Sequence, residues 1–440
     1  MKTTALILAG LISATGLTFA KAPQNAAAKA DYIAHEWGTF TSVQGHDGVQ
    51  LEWNPFVVSE LPGFVHGTTK ANARAPGAGF PGFAPGLFAK NVLITRQRME
   101  TPVIYFYSDQ PRTVDVDVEF AEGRFTEWFP QAAEAPRFGP MKSAPRVMRG
   151  SMQWKNVEIL PGNGADERRF FPRDDSGSHY FAARDTDASG LRLKRADGTA
   201  EYEKFLFYRG VAQFEAPLKV THYGEHAESI RLQNTGAEKL GGLFVYAVRG
   251  DKAALVPIPS LAAQEAQNVD FKFDEVARPA QEVRTKLARE LWSNLVSAGL
   301  YEREATSMVK TWEDSWFDEQ GTRVLYTLPQ TWSDKVLPLK ITPAPKELKR
   351  VFVGRAELIT PAQEWALLKE VIRYAEGGSL QRREAIGKVQ QLGLGRFSDA
   401  AARRLTFGGP QVREFSQSLW SLLDAASRAT IKADATTSLK

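Results

Sequence analysis

Residues Thr113 to Phe120 read TVDVDVEF. Valine or phenylalanine alternates with aspartate or glutamate without a break. A helical repeat of about 3.6 residues would scatter those acids around its axis, whereas a strand sends neighbouring side chains to opposite faces. The run therefore predicts a strand with one buried face and one wet face. TPVIYFYS (Thr101 to Ser108) is apolar on both parities, as in a strand covered on both sides. KFLFYRG, SIRLQNTG and GGLFVYAVRGD share this β-prone texture, and QNTGAEKLGG (Gln233 to Gly242) places turn residues between two of them. Short strands with turn punctuation predict a β-rich antiparallel sandwich region over 31–275, built as one or two sandwiches.

The texture changes after Phe273. Pro279 opens a helical pattern whose stripe is Val283, Leu287, Leu291, Leu295 and Val296, and Gly299 closes it. YEREATSMVKTWEDSWFDEQG predicts a second helix that stops at Gly321. Two strands follow, TRVLYTLP and RVFVGRAELIT, giving an α/β segment over 276–360. Thr360 is placed to cap a helical region over 361–440, which runs to about Ala429 and ends in a frayed tail. The expected class is thus mixed α and β. ARAPGAGFPGFAPGLF (Ala73 to Phe88) is too rich in Gly and Pro for either element. It reads as a surface loop with tucked phenylalanines or as an aromatic lid.

Residues 1–30 have the layout of an export signal: Lys2, an apolar stretch from Ala5 to Ala20, and small-residue cleavage sites after Ala20 and Ala30. Gly10, Ser13 and Gly16 break that stretch, so it makes a poor membrane span, and no other stretch serves. A periplasmic or secreted protein is expected. The leader holds three lysines and no acid, so the rest of the chain carries +1 rather than +4. That balance supplies no global field for nucleic acid. The chain has no cysteine, which excludes disulfides, thiolate metal sites and thiol catalysis.

No nucleophile elbow, Walker loop, dinucleotide fingerprint or HExxH motif is present. The candidates are looser clusters. In DYIAHEWGTFTS, strand alternation sends His35 and Glu36 to opposite faces, with Glu36 on the side of Gly38 and Phe40. Half-burial there would raise a carboxyl pKa and suit a general acid, whereas an arginine partner would make it structural. His46 and Asp47 precede Gly48 in a hairpin-turn signal. DDSGSHYFAARDTDASG (Asp174 to Gly190) gathers His179, Arg184, Asp185 and Asp187, either a polar inter-strand loop or a hydrogen-bonding, carboxylate-binding site. THYGEH offers His222, Glu225 and His226, a hairpin tip or a loop site for zinc or another divalent ion. Trp312 and Trp316 stand one helical turn apart, as a core stripe or a platform for sugar rings.

HEWGTFTS, ETPVIYFYS and WEDSWFDEQGTRVLY resemble segments of a group of uncharacterised secreted bacterial proteins. The resemblance runs through most of the chain. It implies export from a bacterium and transfers no functional residue. Three readings follow. The first is an exported carbohydrate- or polymer-directed protein, a hydrolase if Glu36 is the acid with His35 and His179 as orienting or base residues, and Arg184, Asp185, Trp312 and Trp316 as binding residues. The second is a non-catalytic envelope binding or scaffold protein that meets a protein partner through its C-terminal helices. The third is a metal-dependent enzyme built on His222, Glu225 and His226.

Overall fold

The computed structural model describes residues 30–55, 61–67, 94–135, 149–223, 229–407 and 415–437. The Gly/Pro-rich stretch at 73–88, the leader up to residue 29, and Glu225 and His226 lie outside these. The strands in the first half are β1 (Ala30–Gln44), β2 (His66–Gly67), β3 (Gln97–Tyr107), β4 (Arg112–Phe120), β5 (Gly123–Phe129), β6 (Gly150–Ile159), β7 (Leu191–Lys194), β8 (Ala200–Glu203) and β9 (Leu206–Ala212). Those in the second are β10 (Leu218–Tyr223), β11 (Ser229–Asn234), β12 (Leu240–Arg249), β13 (Lys252–Leu261), β14 (Ala266–Asp270), β15 (Arg278–Pro279), β16 (Gly321–Leu328), β17 (Leu339–Thr342) and β18 (Pro345–Leu358).

One large sheet runs β15-β13-β12-β16-β18-β1-β3-β9-β5-β2, with smaller sheets β17-β4-β6-β7-β8 and β10-β11-β14. β1 lies at its centre, parallel to β18 and antiparallel to β3. One face packs on the smaller sheets: Ala34, Phe40, Ile104 and Tyr208 meet Val114, Val116, Trp154 and Leu218. This is the expected sandwich, and β4 turns its valines inward and its acids outward. The large sheet does not stop at residue 275, however. β16 and β18, from the segment over 276–360, complete its middle.

Helices cover the other face. Helix α1 (Ala280–Ser297) buries Val283, Leu287, Leu291 and Leu295. Each such side chain contributes roughly 1.5–3 kcal/mol by leaving water. Gly299, at φ 110°, ends the turn in a conformation that disfavours a side chain. Helix α2 (Glu302–Glu313) packs beside α1, and Trp37, Tyr105, Phe207 and Tyr246 meet Leu287, Leu291, Trp312 and Trp316 between the layers. The second helix was expected to run unbroken to Gly321. It widens instead into a π turn over Asp314–Asp318, where the Trp316 carbonyl accepts from Arg323 Nη1 at 2.8 Å. A short helix α3 (Gln330–Val336) precedes β17.

Beyond Thr360, which caps helix α4 (Pro361–Glu376) through the Gln363 amide, come α5 (Ser379–Gln390), α6 (Ser398–Phe407) and α7 (Ser416–Thr437). They enclose a separate core with Val43, Leu51 and Trp53. The His46–Asp47 turn docks there: His46 Nδ1 lies 3.0 Å from Glu364, and Arg404 reaches both Glu364 and Asp47. Among the described residues no helix is long and apolar enough to cross a membrane.

Candidate functional site

His35 and Glu36 take opposite faces of β1, as alternation requires. Both are closed to solvent, at 1% and 0% exposure. Glu36 enters the space between the sheets. Arg350 Nε donates to its Oε2 at 2.5 Å, and the Tyr208 hydroxyl donates to Oε1. Arg350 Nη1 also reaches Asp334 at 2.8 Å. The sequence reading that gave Glu36 an arginine partner is the observed one. A carboxylate so held meets no polymer and is poorly placed to protonate a leaving group. His35 points to the helices, where its Nδ1 lies 2.8 Å from Glu304 and the Tyr107 hydroxyl donates to the other Glu304 oxygen at 2.7 Å. Glu304 also accepts the Tyr301 amide at 2.8 Å, fixing the start of α2. Sequence reasoning missed Glu304. Its position in the first turn, three residues after Tyr301, was the available signal.

Farther along the helix-facing side, a band of ionic side chains, joined across β1 by the Thr41 hydroxyl, spans six adjacent strands: Arg323 on β16, Arg355 and Glu357 on β18, Thr41 on β1, Arg98 and Glu100 on β3, Arg209 on β9 and Glu127 on β5. All are buried. Arg355 Nη2 donates to Glu319 at 2.5 Å and Glu357 at 2.8 Å. Glu100 accepts from Thr41 at 2.7 Å and Arg396 at 2.8 Å. Burial alone would raise the Glu100 carboxyl, but Arg396 and Arg98 hold it well below the usual carboxylate range. Burial, then the nearby Arg98, pushes Arg209 down to about 10. The strand registers shift beside this band, between Trp37 and Thr39, Met99 and Val103, and Phe125 and Glu127. Thr101 sits there at φ 52°, a rare conformation for a β-branched residue.

His179 faces the band. Burial, then Arg209, lowers its imidazole to about 4, so it is neutral at pH 7. Its ring packs on Trp312, which stacks on Trp316 at 5.8 Å. The two tryptophans are 3% and 0% exposed. The sugar-platform reading is therefore corrected: their faces are taken by the core and by each other. His35 and His179 do not converge. Their partners Glu304 and Trp312 lie about two turns apart on α2.

At its other end the 3-10 turn His179–Arg184 borders open space. Ser178 starts this turn by accepting the Tyr180 amide at 3.2 Å. Arg184 donates to buried Glu203 through Nε at 2.8 Å and Nη2 at 2.5 Å, and Phe64, Phe171 and Phe181 surround its guanidinium. Two adjoining cavities, of about 140 and about 260 Å³, share Arg168, Phe171 and Arg184. Asp185, Thr186, Lys204 and Arg303 line the smaller, Arg173, Asp174 and Phe181 the larger. Arg303 holds Asp185 and Asp187 at 2.6 Å each. Its hydrogen bond, outweighing burial and joined by Lys310, lowers the Asp185 pKa. Arg168, Arg169 and Arg173 are exposed, and among the described residues none has a carboxylate within salt-bridge reach. Arg169 lies over Phe170, which stacks on Tyr202. Arg184 and Asp185 were anticipated. ERRFFPR (Glu167–Arg173) was not, although its arginines interleaved with phenylalanines were readable.

His222 lies in β10, its ring lowered to about 4 by burial and then by His46. The proposed co-ligands Glu225 and His226 fall outside the described residues. Among the described residues no three His, Asp or Glu side chains group as metal ligands.

No family model and no curated protein matches this chain. Among solved structures it is similar to the Fcho1 Mu homology domain of Danio rerio with bound Eps15 peptide, at TM-score 0.28 and 7% identity. It is also similar to the yeast delta-COP-I mu-homology domain with a Dsl1 WxWxV peptide, at TM-score 0.27 and 7% identity. Both alignments cover 75% of this chain and 98% of the other. Likeness at that level carries no argument about this chain.

Proposed function

We propose that this chain is an exported binding protein for an acidic polysaccharide, held in the cleft beside the His179–Arg184 turn. One observation carries the reading: Arg168, Arg173, Arg184, Lys204 and Arg303 line adjoining cavities whose only acids among the described residues are Asp174 and Asp185. Guanidinium groups suit carboxylates, and the half-buried Phe181 offers apolar surface to a sugar ring. Binding is favoured over hydrolysis. A general acid needs a raised pKa, whereas Asp185 is held low by Arg303, and Glu36 is sealed between sheets.

Calorimetric titration with polygalacturonate oligomers, neutral glucan oligomers and polyglutamate tests this. The acidic saccharide should bind and weaken as salt rises. Equal binding of the neutral glucan would sink the charge argument, and equal binding of polyglutamate the saccharide argument. A second reading, a protein partner for the C-terminal helices, rests on Trp365 of α4, which is 71% exposed. Trp365→Ala should then abolish any co-purifying complex without touching polygalacturonate binding.

A further inference from the structure

Lys204 is the odd residue of the cleft. It lines the smaller cavity yet is only 8% exposed. Its Nζ donates to the Thr186 carbonyl at 2.6 Å, and among the described residues no carboxylate lies within salt-bridge reach of it. Buried lysines are rare without an ionic partner. The Thr186 hydroxyl, on a residue 2% exposed in the same wall, is buried without a hydrogen-bond partner among the described residues. Arg168 and Arg303 add fixed positive charge around this amine.

We infer that Lys204 is a carbonyl-reactive amine, and that the smaller cavity takes an oxo acid, a small aldehyde or ketone that carries a carboxylate. Arg168, which has no ion pair among the described residues, supplies the cation for the carboxylate, and Arg303 stands beside it holding Asp185 and Asp187. The Nζ lone pair forms a bond to the carbonyl carbon while the C=O π pair moves to oxygen. Proton transfer from nitrogen to that oxygen gives a carbinolamine, with the Thr186 hydroxyl available as a donor. Loss of the oxygen as water leaves an imine. One water is released and nothing is oxidised or reduced. The environment supports this: burial, then Arg303, lowers the ammonium to about 8, with Arg168 acting alike and Asp187 and Asp185 opposing. Lysines activated by desolvation and neighbouring cations are known imine formers.

The inference deepens the cleft reading, since a uronic acid end unit joins carboxylate and aldehyde, and its test separates the two. The whole protein is incubated with glyoxylate and cyanoborohydride at pH 7, then digested and mapped by mass. More free amine at lower intrinsic nucleophilicity predicts labelling of Lys204 roughly tenfold faster than of exposed Lys194 or Lys310. Its rate should rise with pH through a midpoint near 8. Lys204→Arg should keep the fold, judged by circular dichroism, and lose the selective adduct. Even labelling of all lysines, in a wild type that binds polygalacturonate, overturns this inference alone. Loss of both overturns the cleft reading too. Acetaldehyde labelling Lys204 as fast as glyoxylate does overturns the carboxylate requirement.

Discussion

His179 and Arg184 end the same short turn and face two charged regions that share arginine and little else. On the His179 side, the band across β16-β18-β1-β3-β9-β5 is buried, and its glutamates meet arginines at close range. On the Arg184 side, the cleft is open, and Arg168 and Arg173 carry no ion pair among the described residues. The contrast separates two uses of one residue type. A buried arginine must be matched, because an unmatched charge there costs several kcal/mol. An exposed arginine needs no match and remains available to a ligand. On the proposed reading the same charge serves stability in one place and recognition in the other, and substitutions should divide accordingly.

The largest effect should come from the band. Glu100→Gln removes the charge between Arg98 and Arg396 and should cost about 3–5 kcal/mol in urea unfolding. An unchanged midpoint would break the contrast at its root. The same pairing sets an acid limit. Because the folded Glu100 pKa lies below its unfolded value, its contribution is present above about pH 4.3 and is lost as pH falls further. His179 acts sooner. Its folded pKa, about 4, lies below an unfolded value near 6.5, so the unfolded chain binds the proton first and stability falls from pH 6.5 toward 4. With a discount for partial exposure the loss is about 2 kcal/mol. His179→Gln should flatten that slope but not abolish it, since His222 titrates in the same direction.

In the cleft the pattern should invert. Arg168→Ala and Arg173→Ala should each leave stability within about 0.5 kcal/mol and weaken polygalacturonate by about 0.5–1 kcal/mol, with a shallower salt dependence. Stability losses as large as those in the band would mean that these arginines support the fold rather than a ligand.

Much of this architecture was legible because period and polarity are local. TVDVDVEF specified which face of β4 is buried, and the Val283–Leu295 stripe specified the buried side of α1. Alternation also separated His35 from Glu36. The pairing of β1 with β18 was not legible, because a parallel neighbour some 300 residues away leaves no local trace. For the same reason Arg350 and Glu304 could not be assigned to Glu36 and His35. The Trp312–Trp316 stripe was equally consistent with core and platform, and only packing against His179 decides it. Arg184 and Asp185 were found by composition, whereas Lys204 was not, since its meaning lies in the cavity wall and not in its neighbours along the chain.

The smallest predicted effect is also the most directional. Asp185 is an acid in a cleft proposed as a site for acids, and Arg303 and Lys310 neutralise it. Asp185→Asn keeps the shape, removes one negative charge and frees part of both cations. Three half-exposed ion-pair partners contribute little to folding, so stability should fall by less than about 1 kcal/mol. Affinity for polygalacturonate should rise, by about 0.5 kcal/mol or two- to threefold at low salt, and the gain should fade as salt screens it. A structural role for Asp185 predicts lower affinity, because Arg303 and Lys310 would lose their positioning. The sign of the change, read by calorimetry at two salt concentrations, therefore decides whether Asp185 competes with the ligand or organises its site.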